Sequence, residues 1–74
     1  MTDPVTNHTL NAFGMCQLLR EAGWMVSSHN DYMENGVRHT YWAFSRNGNI
    51  IDAEGQDDTE ALMGCLQQAK KFTS

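Results

Sequence analysis

The sequence predicts one α+β domain, a two-layer α-β-β-β-α sandwich in which both helices cover the same face of a three-stranded antiparallel meander. Three observations predict it. Apolar residues recur at helical spacing near both ends of the chain. The middle is rich in β-branched and aromatic residues, and Asn35-Gly36 and Asn47-Gly48 mark two hairpin turns. The 74 residues leave room for one domain, preceded by a loose arm over residues 1–6.

The first helix is expected over residues 7–23. Thr6, Asn7 or Thr9 is its predicted N-cap, because each offers a side-chain oxygen to an unpaired backbone N–H. Gly23 supplies the left-handed conformation that commonly ends a helix. The apolar stripe of this helix comprises Ala12, Met15, Cys16, Leu19 and Ala22.

Residues 24–54 are predicted to form the sheet, with strands at about 24–30, 37–46 and 49–54. Asn47-Gly48 indicates a two-residue type I′ turn, because that turn needs positive φ at both positions. The resulting register places four apolar side chains on the face under the helices. They are Trp42, Phe44, Ile51 and Ala53.

The first hairpin allows two registers. A two-residue turn at Asn35-Gly36 would place Val26 on the face opposite Phe44. A three-residue loop over residues 34–36, with Gly36 in a bulge, shifts the pairing by one residue and aligns Val26 with Phe44 on the apolar face. Because the second register buries Val26, we expect the bulged loop.

The last helix is predicted over residues 57–72. Asp57 and Glu60 have the spacing at which an N-cap and the third helical residue satisfy backbone donors reciprocally. Gly14 and Gly64 lie in the middle of the two helices, where glycine costs about 1 kcal/mol relative to alanine. That cost indicates either close approach of another backbone or simple sequence drift. The apolar stripe comprises Ala61, Leu62, Cys65, Leu66, Ala69 and Phe72.

Charge and cysteine content exclude several classes of function. Nine acidic and five basic residues give a net charge of −4, and the isoelectric point is about 5.0. Nucleic-acid-binding proteins usually carry a basic stripe, so this balance argues against direct nucleic-acid binding. Cys16 and Cys65 lack the spacing of a zinc knuckle and are expected to be reduced core thiols. We expect no cofactor, no membrane contact and a cytoplasmic location, because the sequence has no signal pattern or transmembrane run.

The order of elements over about residues 9–72 resembles the double-stranded RNA-binding domain and the HicA-type toxins that reuse its fold as small RNases. The segment 18–24, Leu-Leu-Arg-Glu-Ala-Gly-Trp, is similar to the start of the HicA pattern. His39, in Gly-Val-Arg-His, stands near the Gly-Ser-His whose histidine is the catalytic base in that family. Here the histidine is one residue late, and the serine is missing. Where an RNA-binding domain has lysines, residues 55–60 are acidic, so the resemblance implies the fold while the charge argues against the RNA function.

The bulged register brings ionisable side chains together on the uncovered face of the sheet. There Asp31 would face His39, and His29 would face Tyr41 beside Glu54. An Asp–His pair can orient an imidazole for general base work, and His29, His39 and Asp31 together suit Zn²⁺. Because no nucleophile or oxyanion site converges with them, the sequence predicts a partner-binding surface without a catalytic or metal site.

The predicted function is that of a small acidic, non-enzymatic protein-binding module. In type it resembles the short accessory proteins of phages and prophages, such as anti-CRISPR proteins and inhibitors of host polymerases. Its open sheet face and acidic run would engage a host protein with a basic, nucleic-acid-binding surface. The acidic run comprises Asp52, Glu54, Asp57, Asp58 and Glu60. A degenerate HicA-like RNase or dsRNA-binding module and a structural homodimer are the alternatives. The expected partner-binding residues are Met25, His29, Asp31, Met33, His39, Tyr41, Ile50, Asp52, Glu54, Asp57, Asp58 and Glu60.

Overall fold

The computed structural model describes residues 11–72 and confirms the predicted α+β class and the order of its elements. These are α1 (Ala12–Glu21), β1 (Met25–Glu34), β2 (Val37–Arg46), β3 (Asn49–Gly55) and α2 (Asp58–Ala69), followed by a 3-10 turn (Lys70–Phe72). The strands form one antiparallel sheet in the order β1-β2-β3. Neither helix in this part of the chain is long and apolar enough to cross a membrane.

Helix α1 has a different N-cap from the one predicted. Asn11 has extended backbone angles, and its Oδ1 accepts a hydrogen bond of 2.7 Å from the Gly14 N–H. At the other end Gly23 has a φ of +96°, which confirms its predicted role as the residue that terminates the helix. The three residues wrongly predicted as the cap lie outside the described residues. They are Thr6, Asn7 and Thr9.

The second hairpin has the predicted turn and register. Asn47 and Gly48 have φ angles of 51° and 83°, as a type I′ turn requires. Phe44 therefore pairs with Ile51, and the other residues of the two strands pair in the same register without a shift.

The first hairpin also turns through two residues, so the predicted three-residue loop is wrong. Asn35 and Gly36 have φ angles of 54° and 77°, and Glu34 pairs directly with Val37. The physical reason is that an Asn-Gly pair accepts positive φ at both positions and closes the turn without a third residue.

The register of β1 changes inside the strand instead of at the turn. Val26 pairs with Phe44 and Ser28 pairs with Ala43, so Ser27 is the extra residue of a β-bulge. From the bulge onward the strand follows the register of the two-residue turn. It continues to residue 34, beyond the predicted end at about residue 30.

The predicted burial of Val26 is wrong, although its predicted pairing with Phe44 is right. Val26 is 46% exposed, and the other nine residues of β1 are exposed as well. The cause is the position of the helices, because α2 packs on β2 and β3 and α1 packs on α2. The strand β1 lies to one side of this helical layer.

Trp24 is the largest side chain of the core and is fully buried. The guanidinium of Arg46 lies 4.5 Å from the centre of its ring and also donates a hydrogen bond of 2.9 Å to the Ala22 carbonyl. Phe72 meets the same ring edge-on but is itself exposed, as is Ala22, although both were predicted in the apolar stripes. The core comprises Met15, Leu19, Trp24, Phe44, Ile51, Leu62, Cys65 and Ala69.

Two glycines allow α2 to approach the sheet closely. A Cβ at Gly64 would lie 2.7 Å from the Cβ of Ala53 on β3, which confirms that this mid-helix glycine marks a close approach. A Cβ at Gly55 would lie 2.9 Å from the backbone nitrogen of Ala61. These contacts set the distance between the start of α2 and the end of β3.

We expect Gly64→Ala to destabilise the protein although it raises helix propensity. The gain is about 1 kcal/mol, whereas overpacking costs about 1–3 kcal/mol, so a net loss is expected in chemical denaturation. Adding Ala53→Gly should restore part of the stability, because it removes the atom that the new methyl group meets. Gln67→Ala, on the exposed side of the same helix, is the control. A more stable Gly64→Ala variant would contradict the close approach.

The two cysteines are free and differ in exposure. Cys65 is fully buried, as predicted, and burial together with the negative charge of Asp52 raises the pKa of its thiol to about 11. Cys16 is half-buried.

We expect a disulfide reagent to modify Cys16 rapidly and Cys65 only after unfolding. The thiolate is the reacting species, and a thiol with a pKa of about 11 is ionised to roughly 0.1% at pH 8. The native chain should therefore show one fast thiol, and the denatured chain two. The Cys16→Ser variant should lose the fast phase and Cys65→Ser should keep it; the reverse assignment would contradict the burial of Cys65.

Candidate functional site

The two-residue turn places His29 and Asp31 on the helix-covered face of the sheet. His29 pairs with Trp42, which packs against the core, and Asp31 pairs with Thr40. Alternate residues of a strand point to the same side, so all four side chains share this face. The predicted placement of His29 and Asp31 on the uncovered face is therefore wrong by one residue of register. Their predicted neighbours, Tyr41 and His39, were also wrong, because both lie on the opposite face of the sheet.

Thr40 forms the centre of a polar cluster on this face. It is fully buried, and its hydroxyl donates a hydrogen bond of 2.5 Å to Asp31 Oδ1. The same hydroxyl oxygen lies 3.2 Å from Asp58 Oδ1 and 3.5 Å from His29 Nε2. Residues from β1, β2 and the first turn of α2 therefore meet at one hydroxyl group.

Trp42 supports two members of this cluster. Its Nε1–H donates a hydrogen bond of 2.9 Å to Asp58 Oδ1. The imidazole of His29 stacks on its ring system with centroids 4.0 Å apart and planes 20° apart. The indole thus orients both a carboxylate and an imidazole, while its own polar atom has a partner.

The start of α2 is fixed by its own capping interactions. Asp57 is the N-cap, and its side chain accepts a hydrogen bond of 2.9 Å from the Glu60 N–H. Glu60 reaches back and accepts a hydrogen bond of 2.7 Å from the Gln56 N–H, one residue before the N–H that a capping box uses. The close approach at Gly55 brings this turn to the sheet. Asp58 is therefore held where it can reach β2.

The hydrogen bond from Thr40 is the main cause that lowers the pKa of Asp31 below its usual value. The charge of His29 and the guanidinium of Arg38, 3.6 Å from Asp31 Oδ2, lower this pKa further. Partial desolvation opposes them. Asp31 is therefore ionised at neutral pH and contributes one full negative charge to the cluster.

The uncovered face keeps some of the other predicted side chains, but not Met33, which pairs with Arg38 and so shares the helix-covered face with Asp31. His39 stacks on Tyr32 with centroids 5.1 Å apart, and its Nε2 lies 3.9 Å from the Glu34 carboxylate. Tyr41 donates a hydrogen bond of 3.0 Å to Asp52 Oδ2, and this bond is the first cause that raises the pKa of its phenol. The remaining predicted members on this face, by register, are Met25, Ile50 and Glu54.

The structure thus divides the predicted residues into separate groups. His29, Asp31 and Asp58 come together on one face, whereas Asp57 and Glu60 are engaged in capping α2. The sequence reasoning missed Thr40. The sequence does contain a signal for it. Thr40 lies two positions before Trp42 and four before Phe44, so it shares their buried face, where a polar side chain needs a hydrogen-bond partner. The core-facing positions on β2 are therefore Thr40, Trp42 and Phe44.

The edge of β3 is covered by a side chain of α2. The Oε1 of Gln68 accepts a hydrogen bond of 3.2 Å from the Asp52 N–H, and its Nε2 donates to the Asp52 carbonyl. One primary amide thereby satisfies both backbone groups that a further strand would use at this position.

The outer edge of β1, which faces away from β2, has no such cover among residues 11–72. No other strand of that part of the chain pairs with it. Antiparallel pairs alternate between those that exchange backbone hydrogen bonds and those that do not. The pair that closes the two-residue turn, Glu34 with Val37, exchanges them. By alternation, the N–H and C=O of His29, Asp31 and Met33 point to the free edge.

The tip of the first hairpin extends beyond the third strand. Pairing of β2 with β3 begins at Thr40 and Gly55, so residues 32–39 form a two-stranded projection. Met33 is 66% exposed and Val37 is 40% exposed on this projection. Apolar side chains and unpaired backbone groups therefore lie next to each other.

Over residues 11–72, the fold and these features define a small α+β protein with one open sheet edge. One face of the sheet carries a polar cluster that extends from the buried Thr40 to carboxylates in contact with solvent. No protein-family model, curated protein or solved structure matches the chain.

We expect Thr40→Val to raise the pKa of Asp31 toward its usual value. The substitution keeps the shape of the side chain but removes the hydroxyl that donates to the carboxylate. Carboxyl ¹³C chemical shifts followed through a pH titration report this pKa directly. Thr59→Val, one residue beyond Asp58, is the control and should leave it unchanged. An unaltered Asp31 titration in Thr40→Val would show that the hydrogen bond is not its main determinant.

Proposed function

We propose that this chain is a non-enzymatic protein-binding module that recognises an extended segment of a partner protein along the edge of β1. The observation that carries the proposal is the difference between the two sheet edges. Gln68 occupies the backbone N–H and C=O of Asp52 on β3, whereas the outward-pointing backbone groups of β1 have no partner strand among residues 11–72. Within residues 11–72, Gln68 blocks the edge of β3 at Asp52 and no strand pairs with the outer edge of the ten-residue β1, which is an arrangement suited to strand addition.

The side chains of β1 fit this mode of recognition. In strand addition, main-chain hydrogen bonds supply affinity, and alternate side chains supply specificity. Met33 is 66% exposed, Tyr32 is 37% exposed and Met25 is 67% exposed, so both sides of the edge carry apolar groups. Methionine and tyrosine are enriched at the centres of protein interfaces.

The charge of the chain supports a partner of the opposite sign. With nine acidic against five basic residues, the protein would be attracted to a basic segment, and the attraction would speed the encounter. Asp31 and Glu34 lie on β1 itself and place negative charge at the proposed contact. A phage or mobile-element protein that inhibits a host protein with a basic, nucleic-acid-binding surface is the class that we propose.

The second candidate is a degenerate HicA-like or dsRNA-binding module. It is favoured by the element order and by the carboxylate–imidazole pair of Glu34 and His39 on the uncovered face. The acidic start of α2 disfavours it, because phosphates would meet Asp57, Asp58 and Glu60 there. RNA binding or cleavage that is lost in His39→Ala would favour this candidate over strand addition.

We expect Met33→Pro to abolish partner binding without unfolding the chain. Proline removes an N–H that points to the free edge and is not part of the β1–β2 ladder. Ile50→Pro is the matched control, because Ile50 is also 66% exposed and, by the same alternation, its N–H points away from β2 at the edge of β3. Pull-down from bacterial lysate with each tagged variant, with folding checked by circular dichroism, gives the comparison.

The outcomes separate the interfaces. Loss in Met33→Pro alone supports recognition at β1. Equal loss in both variants, or loss in Ile50→Pro alone, contradicts it and favours the uncovered face. If light scattering shows that the chain alone is a dimer that Met33→Pro dissociates, the edge is used by a second copy, and the structural homodimer replaces the host-protein proposal.

A further inference from the structure

We propose that His29, Asp31 and Asp58 bind one divalent transition-metal ion of the Zn²⁺ class. One imidazole nitrogen and two carboxylate oxygens from these residues all lie within 4.8 Å of one another. The side chains are 38%, 44% and 43% exposed, so the solvent side is open to an ion and its bound water. Such an ion would link the edge strand β1 to the first turn of α2.

The distances in the cluster suit ligands of one ion better than direct hydrogen bonds. His29 Nε2 lies 3.5 Å from Asp31 Oδ1 and 3.7 Å from Asp58 Oδ1. A charge-assisted N–H···O bond spans about 2.7–2.9 Å. Ligand atoms about 2.0–2.1 Å from a tetrahedral Zn²⁺ are separated by about 3.3–3.4 Å. Small side-chain rotations therefore convert the observed arrangement into a coordination shell.

The two carboxylates of the cluster share two hydrogen-bond donors, the Thr40 hydroxyl and the Trp42 indole N–H. The hydroxyl of Thr40 has one proton but lies within 3.2 Å of both carboxylates, so only one of them can accept it. Trp42 supplies one further hydrogen bond to Asp58 and no charge. The imidazole nitrogen of His29 lies 3.5 and 3.7 Å from the two carboxylates, beyond the length of a charge-assisted hydrogen bond. A divalent ion neutralises both.

Two positive groups oppose the ion, and neither outweighs the carboxylates. Asp58 opens α2, where the helix dipole amounts to about half a positive charge. The carboxylates of Asp57 and Glu60 accept backbone hydrogen bonds in the same turn and offset that charge. The guanidinium of Arg38 is 64% exposed and 3.6 Å from Asp31, so solvent screens its effect.

The donor set indicates the class of ion. An imidazole ligand suits Zn²⁺ and related transition metals, whereas Mg²⁺ and Ca²⁺ take oxygen ligands. Thr40 and Trp42 hold the two carboxylates through hydrogen bonds, as the residues around metal ligands commonly do. This proposal departs from the expectation from sequence that the chain has no metal site, and its third ligand is Asp58 of α2 in place of His39.

The test is calorimetric titration of the full chain with ZnCl₂ after treatment with a chelator. His29→Phe keeps a ring on Trp42, and Asp58→Asn keeps an acceptor for the indole N–H. The matched control is His39→Phe, the same exchange at a ring that stacks on Tyr32 on the other face. His8 is present in every variant, so zinc bound there cancels in the comparison.

We expect one Zn²⁺ per chain and a Kd at least about tenfold weaker in His29→Phe and in Asp58→Asn, with no change in His39→Phe. Zinc should also raise the melting temperature of the wild type and of His39→Phe, and a chelator should reverse the rise. Equal weakening in His39→Phe, no binding to the wild type, or the same binding of Mg²⁺ would each overturn the site. These outcomes are independent of partner binding, which Met33→Pro tests.

Discussion

A single extra residue in β1, Ser27, determines which side chains of that strand face the helices. On one side of the bulge Val26 pairs with Phe44, and on the other side Asp31 pairs with Thr40. Because side chains alternate with period two, one inserted residue exchanges the two faces over the rest of the strand. The bulge therefore lets the strand join a two-residue turn at one end while it keeps the pairing beside the core at the other. The polar cluster exists because His29 and Asp31 lie beyond it.

The position of α2 is the second requirement, and it depends on small residues. Gly64 lies against Ala53, and Gly55 lies against the first turn of the helix, so α2 sits close over β3. This placement brings Gln68 to the backbone of β3 and Asp58 to Thr40. The same helix therefore closes one sheet edge and completes the cluster, while β1 stays outside the helical layer.

The sequence was sufficient for features that depend on local rules. The fold class, the type I′ turn at Asn47-Gly48, the end of α1 at Gly23 and the cap of α2 at Asp57 all follow from residue preferences within a few positions. It failed at β1, where two rules competed. Burial of Val26 competes with the turn preference of Asn35-Gly36, and the turn preference prevails because the helices leave that part of the sheet uncovered. A bulge in mid-strand satisfies the turn rule, and only the tertiary arrangement shows it.

The candidate site lay further beyond prediction, since its members are near in space and far apart in sequence. Asp31 and Asp58 are 27 positions apart in the sequence. They meet because β1 and α2 both pack against β2, where each carboxylate reaches the hydroxyl of Thr40. This arrangement has a consequence for β1. A strand without buried side chains is held by its ladder with β2 and by whatever its side chains reach across the face. His29 and Asp31 reach Trp42, Thr40 and α2, so the proposed recognition edge is supported by polar contacts whose strength depends on charge. The order of that edge should therefore respond to ions more than the apolar core does.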